Sequence, residues 1–264
     1  MTSTLIKEKV LEENRRIHAL ENKLYLTRHP EQTNFFQEQI IENTLRLICS
    51  QLSPNSKILD LGCGTGYLFL RFLRRGFNVT GVDLSGEMIQ VLASSIAENE
   101  KEHTHLVVGD VESYIDENIK DFDLVIFSAV MHHLFDYELV LKNACQRLKP
   151  RTKVLIFFEP LKQKANSSIR YGLHRCLSWL DEKFYQMEMV IRNIPLFEDE
   201  YHHSDYQRQF GGIDPFNIEK ILREGKCSIE QVEKYCARRF GVNAWLANQI
   251  LKSQNTFNIF AEKY

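Results

Sequence analysis

The sequence lacks the features that mark membrane-spanning and secreted proteins. Its continuous apolar runs, at residues 124–131 and 154–158, are far shorter than the roughly 20 residues that a membrane-spanning helix requires. The N-terminal segment MTSTLIKEKVLEENRR carries charges throughout and contains no apolar stretch of the secretory type. We therefore expect a soluble, cytoplasmic protein without a membrane span.

An excess of positive charge is also missing. The chain has 33 Lys and Arg against 35 Asp and Glu, so its formal net charge is −2. A protein that binds nucleic acid over much of its surface needs a clustered excess of Lys and Arg. We therefore expect no nucleic-acid partner.

Metal-binding cysteine patterns are absent as well. None of the six cysteines forms a C-x-x-C pair, and the histidines near them complete no zinc pattern. We expect reduced, mostly buried thiols and no bound metal. His202, His203 and Asp205 lie close together in the sequence, and for this cluster we favour solvated loop residues over a metal site or a base.

The residues that are present are typical of one soluble domain with an elaboration. The 264 residues are 44% hydrophobic and 26% charged, which is ordinary for a globular protein. Their number exceeds that of a simple domain but falls short of two full ones.

The stretch ILDLGCGTG at residues 58–66 organises the chain. Its apolar residues predict a buried strand, and Gly62, Gly64 and Gly66 allow a sharp turn with no Cβ to block a ligand. Apolar residues at helical spacing follow over residues 67–75. A helix N-terminus offers free N–H groups and a partial positive charge, so this loop is suited to holding a polar ligand against the backbone.

Such a loop alone fits nicotinamide, flavin or S-adenosylmethionine sites. The dinucleotide fingerprint requires G-x-G-x-x-G. Here the third glycine comes one residue early, Tyr67 stands where the fingerprint has glycine, and Asp60 precedes the first glycine by two residues. These departures favour S-adenosylmethionine.

Strands and helices alternate from residue 57 to residue 160. This order predicts a parallel sheet with right-handed crossovers and helices on both faces. We expect the strands at Lys57–Leu61 and at residues 77–82, 105–108, 122–127 and 154–158.

The flanking regions follow other patterns. Residues 4–26 predict one helix, and a second is expected to begin at Pro30 and to end near residue 50. Residues 162–194 predict one or two amphipathic helices, and residues 195–216 a loop. The remaining chain predicts helices at residues 216–223 and 244–251 and strands at residues 227–235 and 256–261.

Five segments, in order and spacing, resemble the class I S-adenosylmethionine-dependent methyltransferases of the small-molecule type. These segments are ILDLGCGTG, VDLSGEMI, VVGDVE, FDLVIFSAVMHHL and LKPRTKVLIFFEP. The resemblance covers residues 57–160 well and residues 216–264 more loosely. It implies a Rossmann-like α/β fold whose seven-stranded, mostly parallel sheet has an antiparallel last strand, helices on both faces and a helical cap insertion.

The resemblance also implies a division of a single domain, residues 1–264. Residues 1–50 would form N-terminal helices, and residues 51–160 and 215–264 the core that binds S-adenosylmethionine. Residues 161–214 would form a cap over the acceptor pocket. Its aromatic residues favour an apolar acceptor surface, while Lys162, Lys164, Arg170 and Arg175 allow an acidic group on the acceptor or form a solvated basic face.

The family's motifs, carried over residue by residue, imply a cofactor site. Asp83 would accept the ribose hydroxyls, and Asp110 the adenine amino group, although either could instead cap a helix. Asp60 would orient the loop or meet the methionine ammonium. The other implied contacts are the three loop glycines (Gly62, Gly64, Gly66), Leu84 and Met88 beside the adenine, the Val111 amide, and Ser128 near the methionine.

The implied chemistry is an in-line displacement at a methyl carbon, for which alignment and exclusion of water matter most. A hydroxyl acceptor also needs a base. His133 is our first candidate and Glu159 our second, with local packing and helix capping as the alternatives. In the N-terminal helices, Tyr25, Arg28 and Phe36 are candidate contacts or ordinary packing.

The sequence thus predicts an S-adenosylmethionine-dependent enzyme that methylates a small-molecule acceptor, with oxygen as the favoured atom. The alternatives are a non-catalytic module that binds S-adenosylmethionine, transfer to nitrogen or carbon of an amine or lipid-like acceptor, and a nicotinamide oxidoreductase. No pattern in the sequence indicates the oligomeric state.

Overall fold

A computed structural model describes residues 3–21, 24–162, 168–195 and 205–264. Within these residues seven strands form one sheet in the order β3-β2-β1-β4-β5-β7-β6. The strands are β1 (Lys57–Leu61), β2 (Asn78–Asp83), β3 (Thr104–Val108), β4 (Leu124–Ser128), β5 (Lys153–Pro160), β6 (Cys227–Tyr235) and β7 (Thr256–Lys263).

The sheet confirms the predicted Rossmann-like fold. The first five strands pair in parallel, whereas β7 runs antiparallel to both β5 and β6. The strand order reverses between β1 and β4, and a crevice forms beyond their carboxyl ends at such a reversal. All five residues of β4 are buried, as expected for a central strand covered on both faces.

Helices cover both faces of this sheet, and each face has its own apolar core. The helices are α1 (Ser3–Glu21), α2 (Tyr25–Arg28), α3 (Phe35–Cys49), α4 (Phe69–Leu73), α5 (Gly86–Ser94), α6 (Val111–Asn118), α7 (Tyr137–Arg147), α8 (Ser168–Ile191), α9 (Pro215–Glu224) and α10 (Gly241–Gln249). Helices α3, α4 and α5 pack on one face, and α6, α7 and α9 on the other. None of the helices in the described ranges is long and apolar enough to cross a membrane.

The N-terminal helices begin and end elsewhere than the sequence predicts. Helix α1 ends at Glu21, and Pro30 starts only a single 3-10 turn, Pro30–Gln32. Helix α3 begins after Asn34, whose side chain accepts hydrogen bonds from the amides of Phe36 and Gln37. The side-chain oxygen of Asn34 accepts from two N–H groups that would otherwise lack a partner at the start of the helix. The ring of Pro30 offers no such acceptor. The helix therefore starts after Asn34.

In the described part of the cap insertion, helix α8 comes first and a 3-10 turn at Tyr206–Phe210 comes later. A parallel bridge between Leu161 and Ile213 closes the base of the insertion. Three residues named in the sequence predictions, Lys164, His202 and His203, lie outside the described residues, as does the side chain of Arg170.

Hydrogen bonds join one side of helix α8 to the segment between β6 and α10 and to the start of α10. The buried carboxylate of Asp181 accepts a hydrogen bond from the backbone N–H of Arg239 and another from Nδ2 of Asn243, each at 2.9 Å. Arg238 donates to the Ser178 hydroxyl and contacts Nδ1 of His174. These bonds hold the cap against the C-terminal part of the sheet.

We predict that Asp181→Ala loosens the cap without unfolding the core. The substitution leaves two donors without their acceptor, which costs about 1–3 kcal/mol. Amide hydrogen exchange should therefore accelerate across α8, and the urea midpoint should fall.

Glu188→Ala is the matched control on α8, since the ion pair that the structure describes for Glu188 is a surface pair with Arg192, just after the end of the helix. Such a pair contributes less than about 0.5 kcal/mol. Equal exchange rates in the two variants would contradict the assigned role of Asp181.

Candidate functional site

A cavity lies beyond the carboxyl ends of β1, β2 and β4. The glycine loop after β1 forms one wall, helix α5 and the start of α6 form a second, and helix α1 covers it. Lys7 of α1 holds Glu112 of α6 across the opening, with Nζ to Oε2 at 2.6 Å.

The three loop glycines have positive φ angles, but they differ in what surrounds them. A Cβ on Gly62 would lie 2.3 Å from Val130 Cγ2, and a Cβ on Gly66 would lie 2.5 Å from Leu92 Cδ1. A Cβ on Gly64 would meet no atom within 4 Å, because Gly64 lines the open cavity. Gly62 and Gly66 therefore serve the packing of the loop, whereas Gly64 leaves room for a ligand.

Asp83, at the end of β2, connects the loop to helix α5. Its Oδ2 accepts from the Gly64 amide and its Oδ1 from the Ser85 amide, both at 2.8 Å. Ser85, and not Asp83, caps α5. A carboxylate has about four acceptor positions, so Asp83 retains capacity for ligand hydroxyls.

Four buried polar atoms of residues that line the cavity have no hydrogen-bond partner among the described residues. They are Asn14 Oδ1, Asp60 Oδ1, Thr65 Oγ1 and Ser128 Oγ. Burial raises the pKa of Asp60 to about 7, and the neighbouring Asp83 adds to the rise. Because buried polar atoms are almost always paired, this wall is suited to a polar ligand that carries a cationic group.

The far end of the cavity is lined by Leu84, Met88, Asp110 and Val111. Asp110 caps α6, and its Oδ2 accepts from the amide and the hydroxyl of Ser113 at 3.0 and 3.1 Å. The capping alternative for Asp110 is thus realised in the structure, while its side chain still lines the cavity.

Helix α1 contributes residues that the sequence analysis did not identify. Asn14 and His18 line the cavity, and Asn14 Nδ2 donates to the backbone oxygens of Val10 and His133. The sequence signal that could have identified Asn14 and His18 is their spacing of four residues, which places two polar side chains on one face of the helix. Of the N-terminal candidates, Tyr25 and Arg28 line cavities, whereas Phe36 packs in the core beneath α3.

A second cavity, of about 480 Å³, adjoins the first beneath the cap. Five residues line both cavities: His18, Tyr25, Gln32, Ala129 and His133. Its ionisable lining includes the acids Glu21, Glu31, Glu182 and Asp205 and the bases Arg28, His29, Arg208 and Arg239, besides His18, His132 and His133.

This ionic lining differs from the apolar acceptor surface that the aromatic residues of the insertion led us to expect. The aromatic residues Trp179 and Phe184 of α8 are exposed, while Tyr185 on the docked side faces the second cavity. Lys162 and Arg175 are also exposed and line neither cavity. Among the described side chains of α8, those of Glu182, Tyr185 and Gln186 line the second cavity.

His29 carries a positive charge within this lining. Burial by itself would lower the pKa of His29, but hydrogen bonds to Glu21 at 3.2 Å and Glu31 at 3.1 Å outweigh it and raise the pKa to about 9.

Glu159 does not face the acceptor as we expected, and it caps no helix after β5. It is fully buried, and it accepts from the amides of Val130, Met131 and His132 and from His132 Nδ1. A bulge in β5 precedes it, where Phe158 has a φ of 60°. The bulge redirects the Glu159 side chain towards the turn after β4.

That turn, Met131–His133, brings two histidines to Asp205 of the cap. Asp205 Oδ1 lies 3.6 Å from His132 Nε2 and 3.5 Å from His133 Nδ1. Burial lowers the pKa of His132 to about 3, whereas Arg208 and the nearby histidines overcome burial and lower the pKa of Asp205 to about 2. Asp205, one of the three residues of the loop cluster named in the sequence analysis, therefore lies at the site.

Comparison with known proteins gives matches to one family. Residues 58–151 match the family model described as a methyltransferase domain. A ubiquinone biosynthesis O-methyltransferase of Idiomarina loihiensis is 28% identical over 138 residues, which are 52% of this chain and 56% of that protein. One of Coxiella burnetii is 30% identical over 120 residues, 45% of this chain and 50% of that protein. The chain thus spans about half the length of the curated relatives it matches.

Solved structures share the fold over nearly the whole chain. The N-methyltransferase NodS of Bradyrhizobium japonicum, bound to S-adenosyl-L-homocysteine, gives a TM-score of 0.57 at 14% identity and covers 96% of this chain and 98% of its own. Magnesium protoporphyrin IX methyltransferase of Synechocystis gives 0.56 at 14% identity, with 96% and 97% covered. Together, the matched domain, the sheet topology and the glycine loop show a methyltransferase domain at residues 58–151 within a Rossmann-like fold that methyltransferases of known structure share.

Proposed function

We propose that the protein transfers a methyl group from S-adenosylmethionine to an oxygen atom of a small-molecule acceptor. The observation that carries this proposal is the wall of unpartnered buried oxygens beside an open glycine loop, with a second cavity adjoining it. The relatives named as O-methyltransferases support oxygen as the accepting atom.

The residues of the first cavity fit S-adenosylmethionine. Asp60 would bind its ammonium, since an unpaired buried carboxyl oxygen is suited to a cation. Asp83 would accept the ribose hydroxyls, and the loop glycines Gly62, Gly64 and Gly66 would lie against the methionine part. Ser128 would also contact that part, and the adenine would lie among Leu84, Met88, Asp110 and Val111. When bound, the cofactor supplies a sulfonium methyl group.

The acceptor would occupy the second cavity, with its hydroxyl beside His133. Because His133 lines both cavities, it lies where an acceptor oxygen must approach the methyl carbon. The hydroxyl has to lose its proton as its oxygen forms the new bond, and His133 and its neighbours are placed to promote that loss. Glu159 touches neither cavity, so we assign it the positioning of the histidines.

Two features support a small acceptor. Helix α1 covers the first cavity, and the docked cap covers the second, so the reacting groups are screened from water. The acidic and basic groups of the second cavity suit an acceptor with polar or ionised substituents.

The proposal is tested by incubating the protein with deuterated-methyl S-adenosylmethionine and fractionated cell extract, followed by mass spectrometry. S-adenosylhomocysteine binding is measured in parallel by calorimetry. A mass-shifted small molecule that is absent with Asp83→Ala would support transfer. Tight binding without any product would favour a non-catalytic binding module, and no binding would contradict the proposal.

We predict that Gly64→Ala weakens cofactor binding while the fold persists. Its φ of 51° strains an alanine by about 1–2 kcal/mol, and the new methyl group projects into the cavity. The dissociation constant of S-adenosylhomocysteine should rise by about tenfold or more.

Gly76→Ala controls for the strain alone. Gly76 also has a positive φ and open space around a Cβ, but it lies at the end of α4, away from both cavities. Equal affinities in the two variants would exclude close approach of the cofactor to Gly64.

We predict that binding of S-adenosylhomocysteine weakens as the pH falls through about 7. Burial and the facing Asp83 raise the pKa of Asp60 to about 7, and only ionised Asp60 attracts the ammonium group. About a tenth of a carboxyl group with that pKa is ionised at pH 6, so the affinity should fall by up to about tenfold from pH 8. Calorimetry at both pH values measures the change.

Asp60→Asn removes the titrating group and is the control. It should bind more weakly at pH 8, with an affinity that hardly changes down to pH 6. A parallel pH dependence in both proteins would assign the effect to another group.

A further inference from the structure

His132, His133 and Asp205 form a cluster where the two cavities meet. One ligand atom from each residue can be chosen so that all three lie within 4.8 Å of one another. The residues come from two separate segments, the turn after β4 and the start of the 3-10 turn in the cap.

The spacing of these atoms is too long for good hydrogen bonds. Asp205 Oδ1 is 3.6 Å from one histidine nitrogen and 3.5 Å from the other, whereas N–H···O bonds have a mode of about 2.9–3.0 Å. Two ligands of a tetrahedral cation lie about 3.4 Å apart when the metal–ligand bonds are about 2.0–2.2 Å. The observed spacing therefore matches two edges of such a coordination shell.

The hydrogen bonds around His132 also indicate a site for a cation. Glu159 already accepts three backbone N–H groups, so the ring donates from Nδ1 to Glu159 Oε2 at 2.9 Å. In the neutral ring Nε2 then carries a lone pair, and it faces the Asp205 carboxylate, which is also an acceptor. A cation between them would satisfy both, and a carboxylate behind the imidazole is the usual arrangement for metal-bound histidines.

The charges around the cluster leave one side of Asp205 available. Arg208 Nε binds Asp205 Oδ2 at 3.1 Å, so Oδ1 is the oxygen that faces the histidines. The second cavity also presents Glu21 and Glu31, which His29 balances in part. Since the cluster lines this cavity, a bound ion would have a coordination position open to an acceptor.

We propose that His132, His133 and Asp205 bind one divalent transition-metal ion of the Zn²⁺ type, which holds the acceptor oxygen. Such an ion lowers the pKa of a bound hydroxyl, so the proton is released to water before the oxygen attacks. His133 then acts as a ligand and not as the base. The chemical role rests on the proposed function, but binding of the ion does not.

The test is cation binding to the full chain after treatment with a chelator that is then removed. Calorimetry with Zn²⁺ and the visible absorption of four-coordinate Co²⁺ give stoichiometry, affinity and geometry. We expect one ion per chain with tetrahedral Co²⁺ absorption. The proposal would be overturned if neither Zn²⁺ nor Co²⁺ bound, or if bound Co²⁺ gave an octahedral spectrum.

Cation binding by substituted proteins tests which residues hold the ion. Asp205→Asn keeps the side-chain shape but should weaken cation binding by about a hundredfold, and Glu159→Gln by about 10–100-fold. His105→Ala, on the exposed surface of β3, should bind as the unaltered protein does. Unchanged binding in Asp205→Asn would overturn the assigned ligands.

S-adenosylhomocysteine binding and methyl transfer separate the two proposals. Asp205→Asn should bind S-adenosylhomocysteine normally, and removal of the ion should lower transfer by about tenfold or more. A protein that transfers methyl groups equally well with and without the ion would overturn its role but leave the proposed function standing. A protein that binds the ion but transfers no methyl group would support the site and contradict the proposed function.

Discussion

The buried carboxylate of Glu159 is the constraint on which the arrangement of both cavities depends. It joins the end of β5 to the turn after β4 through three backbone amides and the His132 ring. That turn carries Val130, which lies against Gly62 of the cofactor loop, and His133, which lines both cavities. One side chain thus fixes the position of the glycine loop relative to the histidines, and it does so without contact with either cavity. Its loss would leave four buried donors without an acceptor.

The two cavities are built from different kinds of structure. The first consists mainly of strand ends, tight glycine turns and helix starts, positioned by bonds of the backbone such as those from the Gly62 amide to the Val82 carbonyl and from the Gly64 amide to the Asp83 carboxylate. The second is lined largely by side chains from the end of α1, α2 and the 3-10 turn after it, the turn after β4, the cap and the segment before α10, and it contains ion pairs among Glu21, His29 and Glu31. Rigid backbone suits a ligand that is the same in every reaction cycle, whereas side chains can be exchanged to suit a particular acceptor.

The sequence predicts those parts that consecutive residues encode. The strand and glycine turn at residues 58–66 and the alternation of strands and helices up to residue 160 follow from local pattern, and the sheet confirms them. The orientation of Glu159 could not be predicted, because β5 is buried on both faces and its bulge leaves no mark on the periodicity. Nor could the meeting of Asp205 with His132, since the two are far apart in sequence and only the docking of the cap brings them together. The assigned roles of Asp60 and Asp83 stay predictions.

Most of the charged groups of the second cavity lie outside the segment that matches the methyltransferase domain, although His132 and His133 lie within it. The matched methyltransferase domain ends at residue 151, whereas Arg28 and His29 precede it, and Glu182, Asp205 and Arg239 follow it. The names of relatives that match about half of the chain therefore inform the methyl donor more than the acceptor. Because burying unpaired charges is costly, an acceptor that fits the second cavity must complement its charged groups. The charge pattern of the cavity, more than the relatives' names, is thus the guide to the acceptor.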